Sequence, residues 1–170
     1  MNDAAILLSF VAGADWSSGE IRWFGAGYFS HVDVIIEDQL WGARSDRIGG
    51  KVAGVQGRPN DYEKWLHRTI FALPCTTLQQ QSYYAFVKSQ EGKPYDWRAI
   101  LAFGAGRNWR KPDSWICSEL QAAAGESADI WGMLDAQGAR QLFLATNRIT
   151  PGMLAMLVSG KNGAKITVNY

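Results

Sequence analysis

The stretch FSHVDVIIEDQLWGARSD, Phe29 to Asp46, constrains the fold more than any other part of the chain. Val32, Val34 and Ile36 alternate with His31, Asp33 and Ile35, the period of a strand with one face in a core. Asp38-Gln39 supplies a two-residue turn, so the segment reads as an antiparallel hairpin. With the turn placed there, Glu37 pairs with Leu40 and, continuing outward, His31 stands opposite Asp46.

A hairpin needs further strands and a layer to cover it. Ala4 to Val11 is a compact apolar run that reads as a buried strand. Short strands are expected near Val52 to Gln56, through KWLHRTIFALP until Pro74 stops it, and in the closing AKITVNY. After the Thr residues of TTLQQ, Leu78, Tyr83, Phe86 and Val87 make a helical face up to about Gln90, broken by Gly92 and Pro94. A second helix spans Ile116 to Ala124, and Thr150 caps a third with Pro151 at its first position. Ser17 or Ser18 suits the cap of a short helix ended by Gly25 and Gly27, and RAILAFGAGRNWRKPDS holds another helical turn before a polar loop. The sum is one α+β domain over residues 1–170.

Charge and cysteine content narrow the function classes. A formal net charge of +1 offers no bulk attraction to nucleic acid or an anionic membrane. No run approaches the roughly 20 apolar residues of a spanning helix. MNDAAILLSFVAGADW has no basic n-region, and Asp3 precedes its short apolar run, so the expectation is a protein that is cytoplasmic as synthesised, without Sec export. Two distant cysteines and no C-x-x-C pair or histidine cluster argue against a disulfide framework, a zinc site or another cofactor. Nothing in the sequence fixes an oligomeric state. Most of the eight Trp are expected in the core, while exposed ones can line a groove.

One of those two cysteines, Cys117, stands where the second helix begins. A thiol attacks only as thiolate, and a free one has a pKa of about 8.5. The positive end of a helix and a neighbouring imidazole both favour the charged form. Of the two histidines, His67 lies among charged residues in KWLHRT and reads as surface, whereas His31 sits on a strand that can hold its ring rigidly. On residues alone, a small buried thiol and an unrelated histidine remain the alternative.

The segments EGKPYDW (Glu91 to Trp97), CSEL (Cys117 to Leu120) and SHVDVII resemble motifs of the NlpC/P60 papain-like cysteine hydrolases. In this chain the histidine precedes the cysteine, an order similar to the circularly permuted branch, which also includes relatives of lecithin:retinol acyltransferase. The resemblance runs from about Ile6 to Met156. It implies a permuted papain-like fold, an antiparallel sheet packed against a nucleophile-bearing helix, with Cys117 as nucleophile and His31 as base. It also matches Tyr95 to a tyrosine beside the cysteine, where the hydroxyl aids the oxyanion or the ring is structural. The family's third polar residue falls on Gly42, which has no side chain. The hairpin offers Asp46 in its place as the residue orienting His31, against the reading of Asp46 as a loop aspartate paired with Arg44 or Arg47. Asp33 shares the His31 face but lies nearly 7 Å along the strand, which assigns it to the helix end or substrate. Glu119 and Ser118 read as structural and Cys75 as an ordinary thiol.

The function so implied is cleavage of amide bonds by a Cys–His mechanism, on peptide, isopeptide or bacterial cell-wall peptide. The alternatives are lipid acyl transfer or thioesterase chemistry on the same fold, and a binding module that keeps the fold without the reaction. A wall hydrolase with no export signal needs holin-type release, another secretion route or a place in a phage particle.

Overall fold

Alternation along β1 (Ala4–Ala12) divides the molecule in two. Ile6, Leu8 and Phe10 point into a core, while Ser9 on the other face is equally buried but polar. The computed structural model describes residues 3–12, 28–98, 113–131 and 149–160, with the backbone of 164–168. The expected helix after Ser17 or Ser18 and the helical turn of RAILAFGAG lie outside the described residues.

Five further strands extend β1 into one sheet: β2 (His31–Ile36), β3 (Gln39–Arg44), β4 (Gly54–Pro59), β5 (His67–Cys75) and β6 (Ala164–Val168). Their order is β4-β3-β2-β1-β5-β6, and every neighbouring pair is antiparallel. The described helices are α1 (Thr77–Ser89), α2 (Cys117–Ser127) and α3 (Pro151–Gly160). The architecture is therefore α+β, and no helix among the described residues is long and apolar enough to cross a membrane.

The core joins Ile6, Leu8, Phe10, Val32, Val34, Ile36, Trp41 and Leu73 of the sheet to Tyr83 and Val87 of α1 and Leu120 and Ala124 of α2. Each buried Val, Leu, Ile or Phe among them contributes about 1.5–3 kcal/mol relative to exposure, and such burial holds α2 against β2 and β3. The opposite parity carries Ser9, Asp33, Arg58 and Arg68, also buried. These polar groups lie under the segment that follows β4. Asn60 accepts from Arg68 through both its backbone and side-chain oxygens, and Tyr62 donates to Asp33.

The hairpin forms one residue earlier than expected. Glu37 (φ 51°) and Asp38 (φ 62°) are the left-handed central pair, and Ile36 faces Gln39. Two positive φ values in a two-residue loop define the I′ turn, whose twist matches that of the strands. Moving the turn by one position moves the register by two, so the faces are kept but the partners change. Leu40 faces Ile35 rather than Glu37.

Smaller differences follow from pairing and packing. Pro74 does not stop β5, because the strand continues to Cys75 opposite Ala4. β4 runs from Gly54 to Pro59 because its ladder with β3 runs from Arg44 to Gln39. α1 begins at a capping box, in which Thr76 Oγ1 accepts from Gln79 N and Gln79 Oε1 accepts from Thr76 N. Leu78 is 73% exposed, so the buried face of α1 is Tyr83 and Val87. Met153 N donates to Thr150 Oγ1, which confirms the cap of α3.

Candidate active site

Three polar anchors and an apolar stripe set α2 in place. Gln121 Nε2 donates to Trp41 O at 2.9 Å, Tyr83 Oη donates to Gln121 Oε1 at 2.9 Å, and Ser118 Oγ donates to Ile149 O. Ile116 at the N-cap gives the helix no side-chain cap. The first intrahelical bond runs from Leu120 N to Ile116 O, so the N–H groups of Cys117, Ser118 and Glu119 precede every intrahelical acceptor. A helix mouth of this kind favours negative charge. Cys117, at that mouth, is 3% exposed.

The imidazole on which the sulfur of Cys117 acts is that of His31, on the first residue of β2, and the sulfur favours its charged form. His31 Nε2 lies 2.8 Å from Asp33 Oδ1, which leaves Nδ1 as the ring nitrogen not bound to that carboxylate. Burial pushes the imidazole pKa down, but the carboxylate of Asp33 and the sulfur of Cys117 outweigh it and raise the value to about 9. Burial likewise pushes Asp33 up, yet His31, and behind it Arg44 and Arg58, hold that carboxyl below its ordinary value. His31 is therefore charged at neutral pH and bound to a buried carboxylate.

Asp33 thus stands where the sequence reading placed Asp46. Asp46 instead forms a two-pronged pair with Arg44, Nε to Oδ1 at 2.8 Å and Nη2 to Oδ2 at 2.9 Å. The register is the reason. Continued from the Ile36–Gln39 pair, it sets His31 opposite Arg44 and Asp33 opposite Gly42. A Cβ on Gly42 would stand 1.8 Å from Asp33 Oδ1, so the glycine supplies the space that the carboxylate fills. The rise of nearly 7 Å between the two Cα atoms is spanned because both side chains are long enough to lean toward each other on one face. A residue at i+2 on the histidine strand, facing a glycine, was the available signal.

Tyr95 is brought to the same place. A parallel bridge joins it to Trp115, with Trp115 N donating to Pro94 O at 3.1 Å and Asp96 N donating to Trp115 O at 3.0 Å. Burial raises its phenol well above the ordinary value, and the neighbouring Cys117 adds to the effect. Its ring also meets the edge of Trp97, which is 55% exposed. Glu119 is buried in the first turn of α2, in keeping with a structural role. His67 is exposed and Cys75 is buried at 2% exposure.

Among solved structures, the chain is similar to the metalloprotein YiiX from Escherichia coli O157:H7, described as DUF1105. The TM-score is 0.54 at 17% identity, covering 75% of this chain and 67% of that one. The likeness is one of fold. No protein-family model matches the chain, and no curated protein does either. The metal in that neighbour's name belongs to that protein. Among the described residues here, no three His, Cys, Asp or Glu side chains gather as a metal site requires.

Proposed function

We propose that the protein is a cysteine hydrolase of amide bonds, built on a permuted papain-like fold. The observation that carries the reading is the Cys117–His31–Asp33 line: a thiol at a helix mouth, an imidazole against it, and a buried carboxylate on the far ring nitrogen. Triads are identified by geometry and role, not by order along the chain. The histidine-before-cysteine order supports the permuted arrangement.

In this reading Cys117 Sγ attacks the carbonyl carbon of an amide and forms a C–S bond. The N–H groups at the mouth of α2 receive the oxyanion. His31 Nδ1 gives its proton to the nitrogen as the C–N bond breaks, and the amine leaves. Water then attacks the thioester, His31 takes its proton, and the C–S bond breaks to release the acid. Asp33 keeps the ring oriented and its charge balanced throughout. The substrates the reading favours are peptides, with cell-wall stem peptides first.

The test is hydrolysis by the full chain and by Cys117→Ser of stem-peptide amides and of p-nitrophenyl fatty esters. Amide cleavage that is lost in Cys117→Ser supports the proposal. Turnover of esters alone assigns the site to acyl transfer or thioesterase chemistry. No turnover of either, together with iodoacetamide labelling of Cys117 no faster at pH 6.5 than that of a free thiol, assigns the fold to binding.

A further inference from the structure

Both oxygens of Asp33 are occupied, Oδ1 by His31 Nε2 at 2.8 Å and Oδ2 by Tyr62 Oη at 3.0 Å. The direction of the second bond follows from a third. Arg44 Nη1 lies 3.1 Å from the same tyrosine oxygen, and a guanidinium only donates. Tyr62 Oη therefore accepts from Arg44, and its single proton goes to Asp33. Arg44 cannot turn away, since Asp46 holds its Nε and Nη2 and Glu63 Oε2 accepts from Nη1 at 2.9 Å. Its guanidinium carbon also sits 5.4 Å from the ring centre of Tyr62 and 5.8 Å from that of Trp65. Tyr62 and Trp65 meet edge to face at 5.2 Å.

Resting on the reading of Cys117 and His31 as the reacting pair, we infer that Tyr62 and Arg44 are positioning residues that hold the Asp33 carboxylate on His31. The hydrogen bonds run in one sense, from Arg44 to Tyr62 to Asp33, and from His31 to Asp33. Because Asp33 accepts on both sides, His31 Nε2 keeps its proton, and only Nδ1 exchanges protons with the sulfur and the leaving group. Asp46, which does not hydrogen-bond to His31, then acts at a distance by fixing Arg44. The strap after β4 is thereby part of the site's geometry, although it contributes nothing to the reacting atoms.

The decisive variant is Tyr62→Phe in the full chain, which removes one oxygen and keeps the ring on Trp65. The charged and titratable groups that face His31 are Asp33 on its own strand, Arg44 opposite it on β3, Cys117 on α2 and Asp46 beyond β3. A carboxylate relieved of Tyr62 but still in place is a stronger acceptor, and the His31 midpoint near 9 would hold or rise. A carboxylate that was held by Tyr62 turns away, and the midpoint falls by about one pH unit, the equivalent of one hydrogen bond. NMR titration of the imidazole reads this without any substrate, so it stays answerable if the protein hydrolyses nothing and the functional reading fails. Where a substrate is turned over, kcat falls about tenfold with KM unchanged, for the same loss. A midpoint unchanged or raised in a folded Tyr62→Phe protein overturns the inference. Should that variant not fold, Arg44→Gln serves. Losing a nearby positive charge by itself raises the His31 midpoint, so a fall there supports positioning and a rise refutes it.

Discussion

Replacing Gly42 with alanine tests the site from its least conspicuous member. The added Cβ would stand 1.8 Å from Asp33 Oδ1, 3.0 Å from Asp33 Cγ and 3.3 Å from Val32 O. Ordinary contact begins near 3.4 Å, so the carboxylate must retreat by about 1.6 Å or the strands must part. A retreat of that size removes the 2.8 Å bond to His31. A hydrogen bond between charged groups contributes about 1.5–3 kcal/mol, and leaving glycine out of a strand returns about 0.5–1 kcal/mol. The net expectation is a loss of about 1–2 kcal/mol, measured by urea unfolding at pH 6. The specific signature is the His31 titration, which should fall from about 9 because burial alone pushes the imidazole down. His67 is the only other histidine, so His67→Gln assigns the signal. A double-mutant cycle with Asp33→Ala sharpens the case, since removing the carboxylate should make Gly42→Ala nearly harmless. Equal cost of Gly42→Ala in both backgrounds would refute the reasoning, because the clash would then lie with something other than Asp33.

Stability should also follow pH with a definite sign. His31 is raised from 6.5 to about 9 on folding, so its contribution is complete below pH 6.5 and fades as pH rises through 9. At about 1.4 kcal/mol per pH unit, that span carries on the order of 3 kcal/mol, and His31→Gln should flatten the decline in urea unfolding. Asp33 is held below 3.8, so its contribution is present above that pH and is lost as pH falls through the lowered value. Gln121→Ala should cost about 1–3 kcal/mol by thermal or urea unfolding, because it removes the side-chain bonds to Trp41 O and Tyr83 Oη that tie α2 to β3 and α1. A change under about 0.5 kcal/mol would show that α2 is anchored by packing alone.

The parts of the site that depend on local pattern were visible in the residues. Alternation in SHVDVII placed His31 on a strand, and the helix formers after Cys117 placed the sulfur at a helix mouth. Partner choice was not visible, because it depended on which two residues took positive φ. Asp38 suited either turn position, and a shift of one residue exchanged Arg44 for Asp46 opposite His31. Parity survived that shift, so the correct set of polar residues was on the correct face. Tyr62 lay beyond reach for a different reason. It comes from a segment with no periodicity of its own, and only the tertiary fold lays it over Asp33.

His31 and Asp33 are separated by a single valine. Base and orienting acid are thus encoded in three adjacent codons and inherited as one unit, rather than assembled from distant parts of the gene. Any insertion or deletion upstream moves them together, and a slip of one residue in β2 would turn both away at once. For protein engineering the same fact is convenient: a His-Val-Asp tripeptide, facing a glycine on the next strand, is a small enough cassette to graft onto another antiparallel sheet.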